Sequence, residues 1–277
     1  MAESKLSLSI IIPTYNSEST ITECLKSIVN QNNKPSEVLI IDNVSTDNTL
    51  SIVKQYAILY PFIKIISQPD KSLYDAMNKG IILAKETWLY FIGSDDILYD
   101  NDVLKNINKQ LQNTRQLVVY GNVLMDGDSG WANKGEVYDG EFGIPKLFKK
   151  NIHHQAIFYN RDVFGNAGNY NTAYKICADY DLNLKLASKY KFHYVNLIIA
   201  RFNAGGISTH NIDDRFNSDF NINILQYYAG RLLAKYMEPF SFFMVNFGKQ
   251  KLKKGKLFGG AWFILAGYYH KLRKKLL

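Results

Sequence analysis

The chain has 277 residues, 47% of them hydrophobic, which is room for one large domain, or one domain with an appendage, and requires no membrane span. Only Cys24 and Cys177 occur, which excludes a disulfide framework and suits a reducing compartment. The net charge of +8 sits at one end: from Arg231 onward eleven Lys and Arg face one acid, Glu238, while the rest carries 22 basic and 24 acidic residues, which argues against a nucleic-acid surface on the folded body.

In chain order, apolar runs predict strands over residues 6–12, 37–41, 63–66, 88–92 and 117–120. Helical patterns fill the intervals at 19–30, 47–60, 74–84 and 100–112. Such alternation predicts an α/β fold with a mostly parallel, Rossmann-like sheet covered by helices on both faces. The opening Met1-Ala2-Glu3-Ser4-Lys5 lacks the basic start of a secretory leader, so a cytoplasmic setting is expected. After Tyr120 the alternation stops. Asp126-Gly127-Asp128-Ser129-Gly130 reads as a hairpin or loop, and residues 135–143 as irregular. A strand at 156–159, a helix at 179–189, a glycine-containing loop at 201–210 and a long helix at 213–236 follow. No internal repeat or low-complexity stretch is visible.

Three strand candidates end in short polar runs. The first stops at Pro13-Thr14-Tyr15-Asn16, the second at Asp42-Asn43-Val44-Ser45-Thr46-Asp47-Asn48-Thr49, and the fourth at Gly93-Ser94-Asp95-Asp96. Ligands of open parallel sheets bind outside the carboxyl ends of the strands. Two adjacent carboxylates at the end of a buried strand repel each other and lose hydration, and a divalent cation carrying a diphosphate relieves both penalties. The blander reading of an Asp pair there is a turn with a helix cap. Asp75 and Lys79 stand four apart on one predicted helix and share a face, where a plain surface ion pair is the alternative. His153-His154 precedes an extended segment, so only one of the two faces inward. Adjacent histidines are poor co-ligands, so no zinc site is expected from them.

Taken together, I-I-I-P-T-Y-N-S, I-I-D-N-V-S-T-D-N-T, S-L-Y-D-A-M-N-K-G-I, G-S-D-D-I-L and A-D-Y-D-L-N-L-K-L resemble the family 2 glycosyltransferases in order and spacing, over roughly residues 6–187. The resemblance implies a single A-type nucleotide-sugar-binding domain over 1–236, with a nucleotide-binding half at 1–120 and an acceptor-binding half at 121–236. It implies a donor nucleotide-sugar, a UDP-sugar by preference, with Mn2+ or Mg2+ as cofactor. Carried over, Pro13, Thr14, Tyr15 and Asn16 wrap the nucleoside, Asp42 and Asp75 contact it, and Lys79 adds positive charge nearby. Ser94 and Asp95 belong to the same nucleotide-sugar site, with Asp95 toward the ribose, and Asp96 binds the metal. Ser94 stands where a strict D-x-D pattern has an acid, so one dependable carboxylate ligand remains, and His210 is the candidate second one. Asp179 falls where the family has its catalytic base, in A-D-Y-D, with Asp181 as its nearest rival. One base and one metal favour single displacement with inversion, onto a saccharide acceptor such as a lipid-linked intermediate of bacterial surface polysaccharide (O-antigen, capsule or lipooligosaccharide).

A sugar-1-phosphate nucleotidyltransferase would need a glycine-rich, arginine-containing loop after the first strand, and Pro13-Thr14-Tyr15-Asn16 has no glycine. A non-catalytic derivative of the fold would dispense with Asp96 or Asp179, and both are present. The tail, residues 237–277, brackets a charge-free stretch over 257–269 with Lys249, Lys251, Lys253, Lys254 and Lys256 on one side and Lys271, Arg273, Lys274 and Lys275 on the other. Thirteen residues are too few to span a bilayer, which takes about 20. The pattern suits a helix on an anionic membrane surface, or a helical hairpin packed on its own domain or on a second subunit.

Overall fold

The computed structural model describes residues 6–129, 132–203, 212–228, 237–255 and 257–273. The chain opens with β1 (Leu8–Thr14), α1 (Ile21–Val29), β2 (Glu37–Asp42), α2 (Thr49–Leu59), β3 (Ile63–Ser67), α3 (Leu73–Leu83) and β4 (Trp88–Phe91). β1, β2 and β4 are buried along their whole length, which explains why their sequences are continuous apolar runs rather than alternating ones. Their side chains still divide by period two. Ile10, Ile12, Val38, Ile40 and Tyr90 enter the core on one face, and Ile11, Leu39, Ile41, Leu89 and Phe91 that on the other. α1 closes the first face with Ile21, Cys24, Leu25 and Ile28, at helical spacing.

The remaining elements are β5 (Ile97–Leu98), α4 (Val103–Asn113), β6 (Val118–Met125), β7 (Val137–Tyr138), α5 (Ile144–Leu147), a 3-10 turn (His154–Ala156), β8 (Ile157–Asn160), α6 (Asp162–Ala167), α7 (Ala178–Ala187), β9 (His193–Phe202), α8 (Asp214–Tyr228), α9 (Met237–Lys253) and α10 (Leu257–Arg273). All the strands join one sheet in the order β3-β2-β1-β4-β8-β6-β9-β5, with β7 on β6. The expected parallel arrangement holds through β3-β2-β1-β4. Beyond β4 the sheet is mixed: β8 lies antiparallel to both β4 and β6, while β6 and β9 run parallel.

Three strands lie outside the sequence expectation; one is β7, which pairs with β6 from within the stretch read as irregular. β5 is two residues long and exists through its partner, pairing Ile97 with Arg201 and Leu98 with Ala200. β9 mixes Asn196 and Arg201 into its apolar residues, and its register against β6 shifts near Asn122, which blurs any period of two. β6 runs to Met125 rather than stopping at 120. The helix expected over 213–236 is seen as Asp214–Tyr228, and residues 229–236 lie outside the described ones. The tail forms two helices, and among the described residues no helix is long and apolar enough to cross a membrane.

Candidate functional site

The order β2-β1-β4 puts three carboxyl strand ends side by side, and the loops that leave them are bonded to each other. Asn16 N–H donates to Ser45 Oγ (2.9 Å), Ser17 N–H to Thr49 Oγ1 (2.7 Å) and Glu18 N–H to Asp47 Oδ2 (3.1 Å). In return Thr46 N–H donates to Asn16 Oδ1 at 2.9 Å and Asn48 N–H to Glu18 Oε2 at 2.9 Å. The short polar residues of both motifs thus satisfy each other's backbone. Asn16 (φ 47) and Val44 (φ 51) sit in the left-handed region, an outlier for a β-branched residue and a form of strain that clusters at binding sites. Tyr15 projects outward, 57% exposed. Pro13 and Thr14 are the last residues of β1, and Asp42 closes β2 fully buried. Its carboxylate accepts from Ser45 N–H and Oγ and from Ser67 Oγ (2.6 Å).

Ser94 joins this loop pair through Ser17, with the two hydroxyls 2.8 Å apart. The turn closes by Asp96 N–H donating to Gly93 O. Gly93 is required here: a Cβ on it would lie 2.6 Å from Asp95 Oδ1 and 2.7 Å from Asp96 Oδ2, so both carboxylates curl over the same bare backbone. Asp96 is buried. Gln155 Nε2 donates to its Oδ2 at 2.8 Å, and Asn203 N–H to its Oδ1 at 3.0 Å, delivered by the pairing of β9 with β5. Burial and then the neighbouring Asp95 charge raise the Asp96 carboxyl to about 6, against the pull of Asn203, Gln155 and His154. The same pair of acids, after burial, drives the Cys24 thiol beneath them upward, so that it stays protonated.

α3 begins with Ser72 accepting from Asp75 N–H, while Asp75 Oδ2 accepts from Lys71 N–H at 3.0 Å. Lys79 reaches Asp75 only at 3.9 Å. Its close partner is Asp70, which sequence reasoning had not singled out, and it donates to Pro69 O as well. Asp70 N–H in turn donates to Asn43 Oδ1 at 2.6 Å, so the Lys79 cluster leans on the loop after β2. From the same helix Tyr74 O–H donates to Asp179 Oδ1 at 2.9 Å and contacts Ile176 O. Burial, then Asp179, push this phenol well above its ordinary value, so it remains a donor.

Asp179 lies in the first turn of α7, whose N-cap is Cys177, so it is not a capping aspartate. Its Oδ2 accepts from Asn151 Nδ2 at 2.7 Å, and His154 Nδ1 stands 3.7 Å from the same oxygen. His154 therefore faces the site. His153 is half-buried, its ring between Tyr138 and Phe202 with centroids 4.8 and 4.6 Å away, and desolvation followed by the neighbouring His154 lowers it to about 4. The rival carboxylate Asp181 accepts from Asn223 (2.8 Å) and Tyr227 (2.9 Å) and ties α7 to α8. Asp213, another residue missed in the sequence, accepts from the backbone N–H of Ile176, Cys177 and Phe216 and fixes the approach to α7. Burial pushes its carboxyl up, but those donors outweigh it and hold it low.

One short segment links the two acidic centres. Asn151 donates to Asp179, Gln155 donates to Asp96, and His154 lies between. The donor set at the turn fits a divalent cation: the Asp95 and Asp96 carboxylates converge over Gly93, and burial and then their mutual repulsion disfavour the charged pair on its own. Among the described residues no three His, Cys, Asp or Glu side chains form a complete metal cage. His210 lies outside the described residues.

The family model for glycosyl transferase family 2 matches residues 9–176. Over 215 residues the chain is 38% identical to a PGL/p-HBAD biosynthesis glycosyltransferase of Mycobacterium bovis (strain BCG / Pasteur 1173P2), covering 75% of this chain and 81% of that protein. Over 200 residues it is 29% identical to the chondroitin synthase of Escherichia coli, covering 69% of this chain and 28% of that one. Among solved structures it is similar to S. aureus TarS 1-349 in complex with UDP-GlcNAc (TM-score 0.68, 18% identity, 87% of this chain and 72% of that chain). It is also similar to the mannosyltransferase PcManGT from Pyrobaculum calidifontis in complex with GDP-Man and Mn2+ (TM-score 0.55, 16% identity, 96% of this chain and 74% of that chain).

Proposed function

The chain belongs to glycosyl transferase family 2, and we propose that it moves a sugar from a UDP-sugar to a saccharide acceptor with inversion, assisted by Mn2+ or Mg2+. The observation that carries this reading is the Asn151–Gln155 segment, which holds Asp179 at one end and Asp96 at the other. A diphosphate at the Gly93-Ser94-Asp95-Asp96 turn then lies on one side of a gap and a carboxylate base on the other, as single displacement requires.

In this reading Pro13, Thr14, Tyr15, Asn16 and Asp42 hold the nucleoside, with Asp75 and Lys79 beside it. Ser94 and Asp95 hold the ribose side. Asp96 is the protein ligand of the metal, with His210 as the second. The cation, when bound, neutralises the diphosphate charge as a Lewis acid. Asp179 accepts the proton of the acceptor hydroxyl as the oxygen attacks the anomeric carbon, and the bond to the diphosphate breaks, releasing UDP. Tyr74 and Asn151 hold the base by one oxygen each, and His154 borders the reacting sugar. Residues 1–120 form the nucleotide half, 121–236 the acceptor half, and 237–277 an appended unit.

The acceptor we assign is lipid-linked, an intermediate of bacterial surface polysaccharide or glycolipid, met at the cytoplasmic membrane face. Support comes from the role in PGL/p-HBAD biosynthesis named for the mycobacterial relative and from the basic tail. The donor is tested with a panel of UDP- and GDP-sugars, scored for Mn2+-dependent hydrolysis. Turnover of a UDP-sugar that stops in EDTA is expected. Turnover of GDP-sugars alone, or full activity in EDTA, would refute the assignment.

A further inference from the structure

The two tail helices pack on each other closely enough to decide which face of α10 is free. At their crossing a Cβ on Gly248 would lie 2.6 Å from Gly260 O, and one on Gly260 would lie 2.6 Å from Leu252 Cγ. Small residues let the two backbones approach, and Phe247 and Phe263 meet beside them with centroids 4.7 Å apart. Gly260 is buried against α9, and Gly267 is buried too. Away from that contact on α10, Leu257 (68%), Trp262 (62%), Leu265 (69%) and Tyr268 (49%) are exposed, an apolar stripe with Trp262 and Leu265 facing most directly opposite Gly260. Lys249, Lys253 and Lys254 are exposed at the α9 end of the hairpin, and the sequence places Lys271, Arg273, Lys274 and Lys275 beyond the other end of the stripe.

We infer that this outer face of α10 is the surface by which the enzyme docks on an anionic lipid bilayer, with the stripe inserted and the lysines at the headgroups. Hairpin packing and membrane docking, which the sequence posed as alternatives, are then one arrangement. The internal crossing through Gly248 and Gly260 leaves the apolar stripe exposed. Charge selects the occupant. A stripe flanked by cations at both ends complements phosphate headgroups, whereas a second copy of the chain would bring like charges together. The inference rests on the reading that the acceptor is membrane-held, and it names the part of the molecule that brings the site there.

The test uses full-length protein and co-sedimentation with phosphatidylcholine vesicles and with equimolar phosphatidylcholine–phosphatidylglycerol vesicles. Binding to the anionic vesicles only, weakening as salt rises, is expected. The exposed-site double variant Trp262→Ser/Leu265→Ser should lose about tenfold in partitioning, and the triple variant Lys249→Ala/Lys253→Ala/Lys254→Ala about 100-fold. Circular dichroism and turnover on a short water-soluble acceptor should stay at wild-type levels in both. Undiminished vesicle binding by the double variant would overturn the inference. So would a dimer of the wild type that the same substitutions dissolve, which would assign the stripe to a second copy. Vesicle binding without use of any lipid-linked acceptor would instead count against the acceptor reading and leave the docking surface standing.

Discussion

The two carboxylates at the centre of the site are held in contrasting ways. Asp179 is met by a phenol on one oxygen and an amide on the other, both supplied by packed side chains. Asp96 has its own two donors but also has Asp95 curled over the same glycine, and burial adds to the repulsion within that pair, with His154 pulling only weakly the other way. On the proposed reading the base is thus complete before substrate arrives, while the turn after β4 would be finished by a cation and the phosphates that come with it. A base must be aimed in advance, because misplacement costs rate directly. A metal ligand that is incomplete alone makes cation and nucleotide bind together.

The largest effect expected on breaking that contrast is at the base. Asp179→Asn keeps the size and cannot take the proton, so kcat should fall by about 10²–10⁴-fold. UDP affinity in Mn2+ should remain at the wild-type value in calorimetry. Asp181→Asn should instead loosen the α7–α8 contact and lower the melting temperature while leaving catalysis in the folded fraction.

A second experiment separates the two groups that titrate in the same window. The folded Asp96 carboxyl lies near 6 against an ordinary 3.8, so the native state holds this proton more tightly and gains stability as pH falls from 6 toward 4. Folded His153 lies near 4 against 6.5, so the unfolded state takes up this proton first and stability is lost as pH falls through the same range. The effects oppose each other in metal-free protein. Asp96→Asn removes only the first, and should lose about 2–3 kcal/mol more than wild type between pH 6.5 and 4 in urea titrations. Parallel stability curves for the two proteins would show that Asp96 is not under this load.

The smallest of these effects is expected at His154, which borders both centres. His154→Ala should cost about tenfold in kcat with little change in UDP affinity, and His154→Gln should recover part of it. A change confined to KM for the donor would place the imidazole on the nucleotide side instead.

Legibility in the sequence followed how local each contact is. The β1, β2 and β4 ends were readable because Pro13-Thr14-Tyr15-Asn16, the Asp42 run and Gly93-Ser94-Asp95-Asp96 each carry their own turn chemistry beside a buried strand. The parallel half of the sheet followed from strand–helix alternation alone. Asp70, Tyr74, Asn151 and Asp213 escaped notice because their work is done on residues of other elements, such as Tyr74 on Asp179 across the fold. β5 and β9 escaped for the same reason. A two-residue strand has no period, and β9 is specified by its neighbours β6 and β5. The choice between His153 and His154 needed the 3-10 turn that sends one ring into an aromatic pocket and the other toward Asp179.

The central claim is that cation-assisted nucleotide binding belongs to Asp96 and proton removal to Asp179. It is tested most directly by titrating UDP into wild type, Asp96→Ala and Asp179→Asn, each with and without Mn2+. Mn2+ should tighten UDP binding in wild type and in Asp179→Asn and have no effect in Asp96→Ala. An Asp96→Ala protein whose UDP affinity still rises with Mn2+ would contradict the account.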